Sequence, residues 1–559
     1  MRVFGPRAML SCYAMLLFAY LGGLAVPLMD VDAAHHAAVA LRIADTGEWT
    51  RLVSQGRDYT GQPPLLFWLS AASFTVFGVE AVAYRLPSLM FACLAVYSTF
   101  HLATLLHNQT TGRLATVIMG SAFAFLLVNN DVRMDAMLIG AIAFTTWQLI
   151  FSAAYRDGSE LARRQHIMVA GAGLALGFAT KGIFGVLPPL VALLLYLVYK
   201  LEWRRLFDPA WLLLPLSALI FSAPVLYAYY QQFGAERMQD VLWMQNIEPL
   251  LPRHFGSSEN GDRLFYYHTF LWVFLPWSLL ALWSFASSAL RLTNDRYWPR
   301  ACGDAVTTGV VVVSFIFFTC WDLHLLYCLN ILLPFFAIQL ARWLPARLAR
   351  AATRKWLFRV QIVVFVVLVA GAVVLNGWAF PLRDWDWLTV LVALALPVAG
   401  FWVAPRWVGH AAQLVTVTVG MTAAFWMLLN LNFYPRLLDY QAGTVLGEAA
   451  VSLHIAPTDL RFLDGDENPP SFDVATRRIT PTITLEDLEA SSAPTVLFVT
   501  AEGRERIEER ALPVEVLAYS PNYPVYRLKW RFLDPNTRSN ELSVAYLLRV
   551  KPTPPEPGL

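Results

Sequence analysis

Charge is what this chain lacks most. Only 15% of its 559 residues are Asp, Glu, Lys or Arg, against roughly 25% in a soluble globular protein. A deficit of that size excludes a wholly soluble fold. Cysteine is scarce as well, with five in all: Cys12, Cys93, Cys302, Cys320 and Cys328. None forms a CxxC pair, most fall in apolar runs and none lies in the polar tail. That pattern excludes a disulfide framework and a cysteine zinc site. The net charge is +2, and no basic stripe of the kind that holds nucleic acid is visible. There is also no clear internal repeat, the usual mark of a transporter.

What the chain has is apolar sequence: 57% hydrophobic, with 20 Trp, as suits aromatic belts at two membrane surfaces. Arg2 and Arg7 precede an apolar stretch from about Ala8 to Met29. It is long enough to span a bilayer and long for the apolar region of a signal peptide. An uncleaved first helix is the expectation, followed by others to make about 13 spans. Lys and Arg concentrate in alternate loops, at Arg163 and Arg164, at Arg204 and Arg205, and at Arg347, Arg350 and Arg354. This bias places the N-terminus inside and the C-terminus outside. Composition changes near residue 433. Residues 1–432 are expected to form an all-α polytopic membrane domain. Residues 433–559, with strand-like TVLFVT and VEVLAY between Pro and Gly, are expected to form a small external α/β domain.

The polar residues at the outer ends of the spans carry the chemistry. After the first span comes MDVDAAHHAAVALRIADTGEW, with Asp30 and Asp32 where the chain leaves the bilayer. The pattern from Ala33 to Thr46 is helical, with Asp32 as N-cap and Gly47 as stop. Pro63 and Pro64 then open an apolar helix of about 13 residues, too short to span and suited to the interface. A second cluster, Asp131, Arg133 and Asp135, sits at a helix start, where ionisable residues are costly and usually paired or functional. Lys181 interrupts an apolar stretch on the outer side, where a cation can hold a phosphate or simply snorkel. His35 and His36 point to different sides of a helix. A divalent metal held by one of them with His254 or His268 stays open as a cofactor.

Taken together, MDVDAAHHAAVALRIADTGEW, RDYTGQPPLLFWLSAASFTVFG with AYRLPS, DVRMDAMLIG and ATKGIFGVLPP resemble the GT-C membrane glycosyltransferases. The closer likeness is to the branch of protein O-mannosyltransferases and bacterial aminoarabinose transferases of lipid A. The resemblance implies a GT-C fold and an inverting transfer of a sugar from a polyprenyl-phosphate carrier to a lipid A-like, glycan or protein acceptor. It places that transfer at the periplasmic face of the bacterial inner membrane. By the same likeness Asp32 and Asp135 (or Asp131) are the catalytic acidic positions, Tyr59 lies near the donor phosphate, and Lys181 falls in a Thr-Lys-Gly signature. Asp30, Gln62, Arg85, Arg133 and Arg253 complete the expected substrate contacts. Two departures stand out. Gln62 replaces a lysine and Gly61 a glutamate of the aminoarabinose enzymes, and His35 stands where arginine is usual. A transporter or flippase for a lipid-linked sugar is the alternative, and a scaffold with a partner-binding tail is a third.

Overall fold

The computed structural model describes residues 4–155, 159–248, 265–293, 301–320, 327–382, 387–403, 412–491 and 493–551. Arg253 and His254 lie outside the described residues. Within them, eight helices are long and apolar enough to cross a membrane, or up to 10 if each of two bent pairs is one span. The expectation of about 13 spans also counts three helices that fall outside this set. Ile183–Tyr199 and Trp387–Phe401 are apolar but short, and Glu160–Lys181 carries Glu160, Arg163 and Arg164 in its opening turns. The bent pairs are Gln109–Gly120 with Phe123–Asn130, at 55°, and Phe265–Val273 with Ser278–Leu292, at 118°.

The spans pack as helices in lipid do, through small residues and sparse polar links. A Cβ on Gly140 would lie 2.6 Å from the Phe91 carbonyl oxygen, so helices Ala81–Leu106 and Asp135–Ala154 meet backbone to backbone. Asn130 Nδ2 donates to Asn430 Oδ1 at 2.6 Å, and Asn430 Nδ2 donates to the Ala19 carbonyl at 2.9 Å. These bonds tie three spans together. Outward-facing apolar residues such as Val363, Val366 and Val367 are more than half exposed, as a lipid-facing surface requires.

The segment after the first span is built in two pieces. Residues Asp30–Ala34 form a single π-helical turn, closed by Ala34 N–H donating to the Met29 carbonyl, and lead into helix His35–Thr46. Asp32 therefore lies inside the turn and makes no capping bond, contrary to the expectation of an N-cap. Gly47, at φ +72°, ends the helix as expected. Next comes a hairpin, β1 (Val53–Ser54) and β2 (Arg57–Asp58). Gln55 and Gly56 both take positive φ, as a two-residue primed turn demands. The apolar helix behind Pro63 and Pro64 spans Leu65–Phe77. Its Phe67 and Phe74 pack with Ala40 and Leu41 of helix His35–Thr46 in one apolar core.

The polar C-terminal region holds a mixed sheet of β3 (Leu460–Leu463), β4 (Thr482–Ile483), β5 (Thr495–Thr500), β6 (Val514–Asn522) and β7 (Ser543–Val550). Their spatial order is β4-β3-β5-β7-β6. β3 runs parallel to β4 and β5, while β7 is antiparallel to β5 and β6. Strand periodicity explains the continuous apolar reading of TVLFVT. Val496 and Phe498 face a core shared with helix Ala442–Ser452 and Phe472. Leu497 and Val499 face a second core with Leu488 and Ile507.

Candidate active site

Three separate segments bring their polar ends together. The exit of the first span supplies Asp32. The turn between Phe123–Asn130 and Asp135–Ala154 supplies Asp131, Arg133 and Asp135. The end of helix Glu160–Lys181 supplies Lys181. Arg133 lies between two carboxylates, with Nη1 2.9 Å from Asp32 Oδ2 and Nη2 2.9 Å from Asp131 Oδ2. Burial works against the charge on Arg133, but Asp131 and Asp32 outweigh it and leave its pKa raised. The Arg133 and Asp32 side chains are 42% and 36% exposed, so the pair is open to a ligand.

Lys181 is placed by a sharp chain reversal. Its helix stops at Gly182, whose φ of +60° suits glycine. The next helix starts at Ile183, whose N–H donates to Asn246 Oδ1 at 2.9 Å. A Cβ on Gly182 would sit 2.2 Å from that same oxygen, so both conformation and space require glycine. Lys181 thus ends its helix, where the dipole favours a cation. There it acts electrostatically on Asp135 and on Asp32.

Tyr59 completes the cluster from the hairpin side. Its ring lies 5.7 Å from His35 and 5.4 Å from Phe67. Burial raises its phenol pKa. The ring folds over Gly61, where a Cβ would come 2.9 Å from the Tyr59 hydroxyl. A glutamate at position 61 would displace the tyrosine from this seat. His36 is buried against Phe67, and burial drives its pKa down to about 3. It is neutral at any physiological pH and supplies no cation. Gln62 is half-buried at the head of helix Leu65–Phe77.

Three expected site residues have surroundings of their own. Arg85 is 1% exposed, and its guanidinium donates to the carbonyls of Leu24, Val26, Pro27 and Asn130. It fastens the chain where the first span ends, and its donors face backbone rather than a phosphate. Asp30 turns toward the C-terminal region. Its Oδ1 accepts from Ser471 N–H at 2.8 Å, at the start of helix Pro470–Thr476, and its own N–H donates to Gln441. A carboxylate at a helix N-terminus is favourable, so Asp30 is a docking residue. Asp135 is 7% exposed and accepts from Asn330 Nδ2 at 3.2 Å. Asp135, expected as a catalytic acidic position, thus lies deeper than Asp32.

Several supports were missed in the sequence. On helix Leu213–Asn246, Gln232 exchanges two hydrogen bonds with the Leu52 backbone. Gln245 donates to the Thr60 carbonyl and accepts from Tyr229. These amides clamp the hairpin that carries Tyr59. Glutamines inside an apolar helix were the available signal. No group of three His, Cys, Asp or Glu side chains converges with metal-ligand geometry among the described residues. His35 and His36 have ring centroids 5.9 Å apart.

Comparison with known proteins agrees with this architecture. Residues 61–228 match the family described as dolichyl-phosphate-mannose-protein mannosyltransferase. An undecaprenyl phosphate-alpha-4-amino-4-deoxy-L-arabinose arabinosyl transferase of Pseudomonas aeruginosa UCBPP-PA14 is 24% identical over 254 residues, 44% of each chain. The Aeromonas hydrophila enzyme of the same name is 25% identical over 261 residues, 45% of this chain and 44% of its own. The match thus spans less than half the length of these curated relatives. Similarity of fold extends further. ArnT from Cupriavidus metallidurans, bound to undecaprenyl phosphate, superposes with a TM-score of 0.71 at 15% identity, covering 96% of this chain and 97% of that one. The chain is a polytopic membrane protein with the GT-C glycosyltransferase fold, which it shares along nearly its whole length with ArnT.

Proposed function

We propose that this protein is an inverting glycosyltransferase that moves a sugar from a polyprenyl-phosphate carrier to a lipid A-like, glycan or protein acceptor. In this reading the reaction runs at the periplasmic face of the bacterial inner membrane, with the C-terminal sheet on that side. The observation that carries the reading is the convergence of Asp32, Arg133 and Lys181 at the outer ends of the spans, beside Tyr59 and the interfacial helix.

The chemistry follows from these groups. The carrier phosphate is the leaving group, and cations facing it stabilise the charge it gains. Lys181 serves that role, with Asp135 fixing its position. Asp32 faces the acceptor, held by Arg133. For a hydroxyl acceptor it takes the proton as general base. For a phosphate oxygen, which needs no deprotonation, it orients the acceptor. The relatives carry aminoarabinose, so a pentosyl unit is the first sugar to test, with hexosyl donors beside it.

The test is release of undecaprenyl phosphate from a radiolabelled aminoarabinosyl or hexosyl donor by the purified protein in proteoliposomes with a lipid A acceptor. Label moving to the acceptor with release of the carrier supports transfer. Donor crossing the bilayer intact would replace this reading with transport.

A further inference from the structure

We propose that residues 526–531 of the C-terminal region form a membrane-docking loop. It seats Tyr526, Leu528 and Trp530 in the headgroup layer and selects anionic phospholipids through Arg527 and Arg531. The inference is independent of the glycosyltransferase reading. It needs only that the apolar helix Ala351–Ala379 crosses the bilayer.

The loop is preformed. Tyr523, Val525 and Phe532 are buried on either side of it, and the rings of Tyr523 and Phe532 stack with centroids 3.7 Å apart. The Tyr523 hydroxyl donates to the Arg527 carbonyl at 2.6 Å and accepts from Lys529 N–H at 3.2 Å. One buried side chain thus holds two points of the loop and fixes its shape. Residues 526 to 531 are all exposed. Apolar and cationic side chains alternate along them, as Tyr-Arg-Leu-Lys-Trp-Arg.

Its depth is set by the ends of two spans. The Trp530 ring stacks on Trp378 with centroids 4.9 Å apart, and Trp378 is next to last in the span Ala351–Ala379. Phe532 lies 5.3 Å from the ring of Tyr440, which follows closely on the span Gln413–Leu438. Arg538 Nη2 donates to the Ala379 carbonyl at 2.6 Å and locks the same junction. The loop is therefore held where these spans leave the hydrocarbon. Tyrosine and tryptophan concentrate at that level because their rings are amphipathic. Trp530 is 64% exposed and Leu528 43%. Clustered apolar exposure of this kind marks a docking surface, and a basic segment with Trp and Leu beside it suits the lipid interface.

Charge selects the lipid. The nearby acids are engaged: Glu541 lies 3.5 Å from Lys529, and Asp534 accepts from Asn536. Arg527 rests over the Tyr526 ring at 5.3 Å. Among the described residues, Arg527 and Arg531 form no ion pair. The loop thus offers open guanidinium groups next to apolar side chains. An anionic phospholipid has the matching order, a negative headgroup above acyl chains. Asp30 fastens the C-terminal region to the end of the first span through Ser471. This loop fastens it to the bilayer itself.

The test uses the full-length protein in nanodiscs of equal phosphatidylcholine and phosphatidylglycerol, with the photo-crosslinker benzoylphenylalanine in place of Leu528. Mass spectrometry after irradiation identifies the attached lipid. Position 528 should give abundant lipid adducts. The same probe in place of Val516, an exposed apolar residue on β6, should give few. Phosphatidylglycerol adducts should exceed phosphatidylcholine adducts by about tenfold, the scale set by two cations at an anionic surface. Arg527→Glu with Arg531→Glu should abolish that preference, and Arg527→Lys with Arg531→Lys should keep most of it. Unfolding temperatures show that each variant is folded. Lipid adducts no more abundant at 528 than at 516, crosslinks only to a second copy of the chain, equal labelling by the two lipids, or a preference indifferent to charge reversal would each overturn the proposal.

Discussion

Arg133 and Asp32 meet across two segments separated by about a hundred residues of chain, with Nη1 2.9 Å from Oδ2. The contact joins the exit of the first span to the turn before helix Asp135–Ala154. Because Arg133 is itself held by Asp131, it presents Asp32 in a fixed direction. A bidentate fork is suited to that task in a way a lysine ammonium is not.

From this geometry, Asp32→Asn should keep the shape of the site and remove its basicity. If Asp32 is the general base, transfer falls by roughly 10²–10⁴-fold. Arg133→Ala should lower kcat by a smaller factor, because Asp32 stays but loses its orientation. Arg133→Lys should fall between the parent and Arg133→Ala. Labelled-donor consumption in proteoliposomes checks this, alongside thermal unfolding to show that each variant is folded. Full turnover by a well-folded Asp32→Asn protein would remove Asp32 from the mechanism.

Lys181 answers to a different readout. As the cation proposed for the carrier phosphate, its loss should appear in donor affinity. Lys181→Ala should weaken binding of undecaprenyl phosphate strongly, while Lys181→Arg keeps the charge and part of the affinity. Isothermal titration in detergent measures this directly. Equal affinity in all three forms would leave Lys181 as a positioning partner of Asp135 only.

Arg85 should behave as a folding residue. Its replacement by Ala leaves the carbonyls of Leu24, Val26, Pro27 and Asn130 short of donors. Each buried acceptor left unpaired costs roughly 1–3 kcal/mol. Arg85→Ala should therefore lower the unfolding temperature sharply and reduce yield in the membrane. The protein that does fold should bind undecaprenyl phosphate as the parent does. A stable variant with lost phosphate binding would restore Arg85 to the substrate site.

The contrast between Lys181 and Arg85 shows what the sequence can carry. Both are cations near the end of an apolar helix, and hydropathy treats them alike. Lys181 sits in a Thr-Lys-Gly break, and the glycine after it is demanded by a positive φ and by Asn246. That break is a local feature and could be read. The fate of Arg85 is set by four carbonyls far from it in the chain, which no local pattern reveals. Asp30 and Asp32 make the same point two residues apart. The π turn sends one toward Ser471 and the other toward Arg133, while a regular helix with Asp32 as cap would have left both at the surface. The helix ending at Gly47 and the short interfacial helix followed from periodicity and breakers. The Gln232 and Gln245 clamps did not, since their partners lie nearly two hundred residues earlier.

The same docking region should make stability depend on pH. Burial raises the carboxyl of Asp473 from 3.8 to about 7, although Thr480 N–H, which Oδ1 accepts at 2.8 Å, pulls the other way. Asp30 is raised from 3.8 to about 6, again by burial, with the bonds from Ser471 opposing it. An acid whose pKa is raised by folding binds its proton more readily in the native state. Between pH 3.8 and these folded values the native chain therefore holds more protons than the unfolded one, and stability falls as pH rises. The fall from Asp30 is complete just above pH 6, and that from Asp473 just above pH 7. Asp473→Asn retains the acceptor for Thr480 and carries no charge at any pH. It should unfold at a higher temperature than the parent at pH 8 and show a shallower decline between pH 5 and 8, with the remaining slope supplied by Asp30. Unfolding temperatures of the two proteins across that range decide it. Parallel curves for parent and variant would mean that Asp473 does not titrate between pH 5 and 8.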